Sequence, residues 1–256
     1  MLFFTDLDKT IVYSGYPEHY CIEYKEKQEI TYITIEAKRL LDNLLKKEDF
    51  LMIPCTLRSF EQTKRIEFIT DTLTPIVICD NGFSIYLNGV LDKSWDIKMK
   101  SYIVKYPMSE TYKAIENFIT TTNIPISQIK SNRDAFFTII FKNITDAESF
   151  SDKIIDIIDL SLYKTEKHGR KLYIIPNFLD KVLALRYVTS QFPDKMVVTA
   201  GDSNVDIAFV KEGKITILPR HSKLHINKAI KTKSKGIYAG AEILKILNKL
   251  IMKQIK

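Results

Sequence analysis

Several things are scarce in this chain. It has 3 cysteines, 8 glycines and 8 prolines in 256 residues, and no apolar run approaches the roughly 20 residues needed to span a bilayer. Cys21, Cys55 and Cys79 are too few and too scattered for a disulfide framework or a zinc site. Cys55 and Cys79 end apolar runs, where a small buried thiol is the expectation. With no low-complexity tract and no internal repeat, disordered and solenoid classes are excluded. The first residues also lack the basic region, long apolar segment and small-residue cleavage site of a signal peptide. A soluble, cytoplasmic protein is therefore expected.

What is present suits a globular protein. Hydrophobic residues make up 45% of the chain, enough for a sizeable core, in one large domain or in a core with a smaller inserted one. The net charge of +7 suits an anionic ligand, but a solvated Lys-rich surface explains it equally well.

The most informative stretch comes first. Met1 to Thr5 is a short apolar run that reads as a buried strand and ends at Asp6-Leu7-Asp8-Lys9-Thr10. If the strand continued, alternation would point Asp6 and Asp8 the same way. Two such carboxylates repel unless a cation or shared proton relieves them, while Asp is also a common turn residue. The tripeptide alone leaves both readings open.

Further along, Tyr20 to Tyr24 and Ile30 to Ile33 alternate around a charged turn and predict a hairpin. Thr34 opens a helix through Leu45, and a second apolar run, Phe50 to Cys55, ends at Thr56-Leu57-Arg58-Ser59. Ser59 and Gln62 have capping-box spacing, which predicts a helix carrying Phe60, Ile66 and Ile69 inward. A third run, Pro75 to Cys79, ends at Asp80-Asn81-Gly82. The pattern then changes. Asn88-Gly89 marks a hairpin between Ser84–Leu87 and Val90–Lys93. A helix from Ser109 to Thr121, a strand from Ala135 to Phe141 and a helix to about Leu160 capped through Thr145 and Glu148 follow. A second hairpin, Ser161–Thr165 with Lys171–Ile175, completes an antiparallel α+β unit read as an insert over 83–176.

Strand-helix alternation resumes after it. Leu179 to Phe192 is helical in spacing, and Lys195 to Ala200 is a strand ending at Gly201-Asp202-Ser203-Asn204-Val205-Asp206. Ile215 to Leu218 and Gly236 to Tyr238 read as short strands, and Ala241 to 255 as a closing helix whose basic face is solvated. Alternation on both sides of the insert implies one Rossmann-like parallel sheet with helices on both faces. Ligands on such sheets bind beyond the carboxyl ends of the strands. Asp6 with Asp8, Thr56 with Arg58, Asp80 with Asn81, and Asp202 with Asp206 all follow apolar runs, so an assembled polar site is expected there.

Asp6-Leu7-Asp8-Lys9-Thr10, Thr56-Leu57-Arg58-Ser59, Lys181 and Gly201 to Asp206 resemble the four ordered motifs of the haloacid dehalogenase (HAD) superfamily. Asp80-Asn81-Gly82 and the insert resemble members with a C2-type cap, among them sugar-phosphate phosphatases and phosphomannomutases. The resemblance implies a catalytic core over 1–82 and 177–256 with an α+β cap over 83–176. It implies a phosphatase acting on a small phosphorylated metabolite, a sugar phosphate by class, with neither nucleic acid nor membrane as partner and with no indication of oligomeric state. A phosphotransferase or phosphomutase using the same intermediate, and a non-catalytic binding protein, are the alternatives.

By the same resemblance Asp6 is the nucleophile and Asp8 the acid and base. Mg²⁺ is held by Asp6, the Asp8 carbonyl and Asp202. Thr56 and Lys181 meet the phosphoryl oxygens, with Lys171 the rival for the latter role. Leu57, Arg58, Asn81 and Asn204 lie on the substrate side, and Ser203 and Asp206 support Asp202 or Lys181. Arg133, Asp134, His168 and Arg170 fall in cap loops as candidate specificity residues. The chain departs from the family pattern at Lys9, where Gly is common, and at Val205, where Asn is usual.

Overall fold

A computed structural model describes residues 1–70 and 72–254. In chain order its elements are β1 (Leu2–Thr5), β2 (Tyr20–Lys25), β3 (Gln28–Ile33), α1 (Ile35–Leu45), β4 (Leu51–Pro54), α2 (Phe60–Thr63), β5 (Ile76–Cys79), β6 (Ser84–Leu87), β7 (Val90–Leu91), α3 (Lys93–Ile103) and α4 (Met108–Thr122). These are followed by β8 (Ile126–Asn132), β9 (Phe136–Phe141), α5 (Ile144–Ile154), β10 (Tyr163–His168), β11 (Lys171–Pro176), α6 (Lys181–Thr189), β12 (Val197–Ala200), α7 (Ile207–Val210), β13 (Ile215–Leu218), β14 (Ile230–Lys231) and α8 (Ile237–Gln254). The chain divides into two compact units, 1–92 with 180–256, and 93–179.

The first unit is built on a five-stranded sheet in the order β14-β13-β12-β1-β4, with every pairing parallel. The fully buried β1 lies at its centre, as expected for a strand covered on both faces. Thr5 pairs with Ala200 on one side and Pro54 on the other. That register sets the residues following β1, β4 and β12 past the same edge. β5 joins β4 through a Cys55–Ile78 bridge and starts the antiparallel sheet β5-β6-β7. Met1, Phe3, Leu41, Met52, Val198, Leu244 and Leu247 belong to the core of this unit.

The local signals read from the sequence account for many of these elements. Thr34 caps α1 by accepting from the Ala37 amide, and Ser59 with Gln62 forms the capping box of α2. Asn88 and Gly89 both have positive φ, as the tight hairpin turn requires. All 3 cysteines are buried, and none forms a disulfide among the described residues.

Other expectations give way to tertiary contacts. α2 is one turn long rather than a helix through Ile69, because the Glu67 amide donates to the Ile22 carbonyl of β2 and leaves the helical ladder. Ile66 and Ile69 are still buried. Gly236 to Tyr238 is not a strand: Gly236 has φ +57 and α8 starts at Ile237, while Ile230–Lys231 provides the edge strand. The closing helix is described to Gln254; residue 255, which it was expected to include, lies outside the described residues. The first turn of α5 is capped by Asn143, which accepts from Asp146, rather than by Thr145. Segment 83–92, expected in the insert, pairs through β6 and β7 with β5 and belongs to the first unit.

The second unit is an antiparallel sheet, β10-β11-β9-β8. Phe137, Ile139 and Phe141 of β9 and Leu172 and Ile174 of β11 alternate onto one face and pack with Ile115 of α4 and Phe150 of α5. Two of its elements, α3 and β8, were not foreseen. α3 buries Trp95 and Met99, a narrow apolar stripe among four charged residues. β8 is mostly polar, and its side chains are partly or fully exposed. Arg133 pairs with Asp96 at 2.9 Å, Asp134 accepts from Ser131 and Arg170 donates to the Lys142 carbonyl.

Candidate active site

β1 stops at Thr5, so the alternation that would align Asp6 with Asp8 does not persist. The Leu7 carbonyl accepts from the amides of Thr10, Ile11 and Val12, and Lys9 turns through φ +59. This tight turn sends the two carboxylates to different partners. Asp6 Oδ1 accepts from Lys181 Nζ at 2.8 Å, whereas Asp8 receives a forked pair from Arg58, Nε to Oδ2 at 2.8 Å and Nη2 to Oδ1 at 2.7 Å.

Lys181 is the first residue of α6, whose N-cap is Asp180. A cation is disfavoured at that end of a helix, yet this lysine is fully buried. Its charge is held by Asp6 and by Asp206 Oδ1 at 2.7 Å. Burial works against the charge, but the Asp206 and Asp6 carboxylates outweigh it and raise the lysine above its usual range. Gly82 makes this placement possible. It has φ +96, and a Cβ there would lie 2.7 Å from the Asp180 carbonyl oxygen.

The loop after β12 is wound around Asp206. Its Oδ2 accepts from the amides of Asp202 and Ser203 at 3.1 and 3.0 Å and from Ser203 Oγ at 2.8 Å. Gly201 lets this carboxylate approach, since a Cβ there would meet Asp206 at 2.7 Å. Where the resembling family usually has Asn, at Val205, the loop amides are instead held by the next residue. Ser222 adds a second tie by donating to the Asp202 carbonyl. On the same loop His221 bonds the Lys9 carbonyl through Nε2 and accepts the Gly236 amide at Nδ1, so Nε2 carries the proton. Burial lowers the pKa of this histidine.

Oxygens of Asp6, Asp202 and Asp206 lie within 4.8 Å of one another. Burial pushes the Asp6 carboxyl well up, with Lys181 opposing and the Asp206, Asp202 and Asp8 charges adding. Burial and the Asp206 charge push Asp202 to about 7, against the pull of Lys9 and Lys181. Among the described residues Asp202 Oδ1 is buried with no hydrogen-bond partner. Buried polar atoms are normally satisfied, so this oxygen marks a place for a cation. The set is all oxygen, which suits a hard divalent ion. Asp206 already accepts four donors, leaving Asp6 and Asp202 as the acids with oxygen to give.

The remaining predicted residues divide. Thr56 is buried beyond β4; its amide donates to Ile78 and its carbonyl accepts from Asn81, while its Oγ1 takes the Arg58 amide. Asn81 is buried with φ +57, so the ends of β4 and β5 are locked together. Arg58 is occupied by Asp8 and Glu23 rather than open to substrate. Leu57 is half-buried and Asn204 exposed, and neither is drawn into the acidic cluster. Lys171, the alternative cation, lies in β11 of the second unit. The sequence reading missed Glu23, Arg65, His221 and Ser222. Only Glu23 carried a signal, as a lone acid amid apolar residues of a predicted strand.

Among the described residues no helix is long and apolar enough to cross a membrane. Residues 1–240 match the family model for sucrose-6F-phosphate phosphohydrolase. No curated protein sequence matches the chain significantly. Its fold is similar to that of the sucrose-phosphatase from Synechocystis, solved with sucrose and phosphate, at TM-score 0.62 and 15% identity over 97% of each chain. It is also similar to the C-terminal domain of trehalose-6-phosphate phosphatase from C. albicans, at TM-score 0.67 and 13% identity over 97% of this chain and 92% of that one. A HAD subclass IIB sugar phosphatase matches at TM-score 0.64 and 13% identity over 96% and 98% of the two chains. The motif order, the parallel sheet with its α+β insert and the family match agree: the chain belongs to the sucrose-6F-phosphate phosphohydrolase family of the HAD superfamily, hydrolases acting on phosphoric monoesters.

Proposed function

We propose that the chain is a Mg²⁺-dependent phosphatase that hydrolyses a sugar phosphate through a phosphorylated Asp6. The observation carrying this reading is the cluster in which Lys181 is buried between Asp6 and Asp206, with an unpartnered Asp202 oxygen beside them. Asp6 and Asp202 would hold the metal, together with the Asp8 carbonyl, and the ion would supply positive charge that lets an anionic phosphate approach a carboxylate.

Within that frame the residues divide the work. An Asp6 carboxylate oxygen forms a bond to phosphorus as the bond from phosphorus to the sugar oxygen breaks. Asp8 gives the departing oxygen its proton, then takes one from the water that attacks phosphorus and frees Asp6. Lys181 and the Thr56 hydroxyl stabilise the charge on the phosphoryl oxygens. Asp206 does not meet substrate; it holds Lys181 on one oxygen and the Asp202 loop on the other. The family supports the sugar-phosphate class, and the net charge of +7 is compatible with it.

Phosphate release should be measured across a panel of sugar phosphates, with Mg²⁺ and with a chelator. Release that needs the ion and disappears in Asp6→Asn is the expected result. Silence of the wild-type chain across the panel would refute the proposal.

A further inference from the structure

Glu23 is fully buried on β2 of a surface hairpin. An ionised carboxylate is costly to bury unless it is paired, and this one is surrounded by donors. Its Oε2 accepts from Thr31 Oγ1 at 3.0 Å and Arg58 Nη1 at 2.8 Å. Its Oε1 accepts from Arg65 Nε at 3.1 Å and Nη2 at 2.9 Å. Register shifts flank it on both sides in the β2–β3 ladder. Such irregularities re-aim a side chain, and here the side chain turns in toward the arginines.

The row Arg65, Glu23, Arg58, Asp8 alternates in sign and ends at the proposed acid and base. A buried ion pair is weak evidence for stability, because apolar replacements of similar volume often do as well. What it can supply is direction. Guanidinium is a rigid plane, so fixing one edge fixes the other. Glu23 holds Nη1, which leaves the edge formed by Nε and Nη2 squared to both Asp8 oxygens. Asp8 itself is only half-buried and stands at the mouth of the turn that Lys9 makes with positive φ, so its carboxylate needs an outside support. The hairpin provides one through Arg58.

We infer that Glu23 is a positioning residue for the phosphatase reaction: acting through Arg58, it holds the Asp8 carboxyl where it can protonate the leaving oxygen. This inference rests on the proposed role of Asp8. It goes further by assigning a task to the hairpin and by giving Arg58 to Asp8 instead of to substrate.

The test compares two leaving groups. A sugar alcohol leaves well only with a proton, whereas dinitrophenolate leaves without one, and kcat/KM reports the step in which the leaving group departs. Glu23→Gln should lower kcat/KM on the best sugar phosphate by about tenfold or more, a part of what general acid catalysis supplies. It should leave kcat/KM on dinitrophenyl phosphate within about twofold, since no proton transfer is at stake there. Equal losses on both substrates would show a merely structural role and overturn the inference, as would no loss on either. If Glu23→Gln does not fold, Glu23→Asp keeps the buried charge but shortens its reach by one methylene, and it must show the same selective loss. A wild-type chain active on neither substrate would instead remove the phosphatase reading on which this one stands.

Discussion

Asp206 shows how much one side chain can decide. Both its oxygens face only donors: Lys181 on one side, two amides and a hydroxyl on the other. An amide in its place would set its own N–H groups against donors whichever way it turned. Asp206→Asn should therefore destabilise the protein by about 3–5 kcal/mol, the range for breaking a buried ion pair, and urea unfolding would measure it. Lys9 presents the opposite case, a local strain with a simple remedy. At φ +59 an L side chain costs about 1 kcal/mol, and glycine, common here in the resembling family, does not incur that strain. After the entropy glycine adds to the unfolded chain, Lys9→Gly should raise Tm by about 1–2 °C; an unchanged or lower Tm in calorimetry would show that the turn is not strained. Three of the four motifs were legible because each follows an apolar strand, whereas Lys181, at the start of α6, was read through the resemblance. Glu23 and His221 were not, since their partners lie 35 and 212 positions away in the chain.

At the scale of elements, local chemistry could be read wherever it decided the outcome. Thr34, Ser59 with Gln62, and Asn88-Gly89 each fix their element through contacts a few residues long. The sequence misled where a distant partner claimed the backbone, as when Ile22 takes the Glu67 amide and ends α2 early. The start of α6 depends on such a distant approach. Gly82→Ala would place a methyl 2.7 Å from the Asp180 carbonyl oxygen and impose φ +96 on an L residue. The first turn of α6 must then shift, carrying Lys181 away from Asp6. An ångström of misplacement in a catalytic group can cost about a hundredfold in rate, and that is the expected loss in kcat/KM. Circular dichroism of the variant should stay close to wild type, because the rest of the unit does not depend on this contact.

For the whole molecule, the acidic cluster links stability to pH and to metal. Burial and Asp206 raise Asp202 to about 7 from an unfolded value of 3.8. A carboxyl raised in this way contributes stability below its unfolded pKa and loses it as pH climbs through the folded one. In the metal-free protein this contribution should fall between pH 4 and 7, a window set by those two values. A divalent cation binds the ionised form, so its stabilising effect should grow over the same interval. At a hundredfold excess over its dissociation constant the ion is worth about 2.7 kcal/mol. Thermal unfolding at pH 5 and pH 8, roughly one to two pH units either side of the folded value, with Mg²⁺ and with a chelator, would display both trends. Asp202→Asn should abolish the Mg²⁺ response and leave only the part of the pH trend that the raised Asp6 carboxyl carries; if the Asn variant responds to Mg²⁺ as wild type does, the ion is held elsewhere. The overall architecture was also readable in outline, since alternation resumes with the same period after the insert. Its boundaries were not, because β6 and β7 look like part of an antiparallel unit, yet β6 pairs with β5 and β7 with β6.

The loop around Asp206 has one more consequence, for how this chain tolerates change. Where the family pattern has Asn beside this acid, the chain has Val205, and the loop amides gather on Asp206 alone. The hydrogen bonds that set the Asp202 loop therefore do not run through the side chain at 205. The same arrangement concentrates the load on one carboxylate, with Asp6 sharing the lysine and Ser222 the loop. A lineage that keeps Val at 205 has a single residue bound to both the buried lysine and the loop, and any change there weakens both at once.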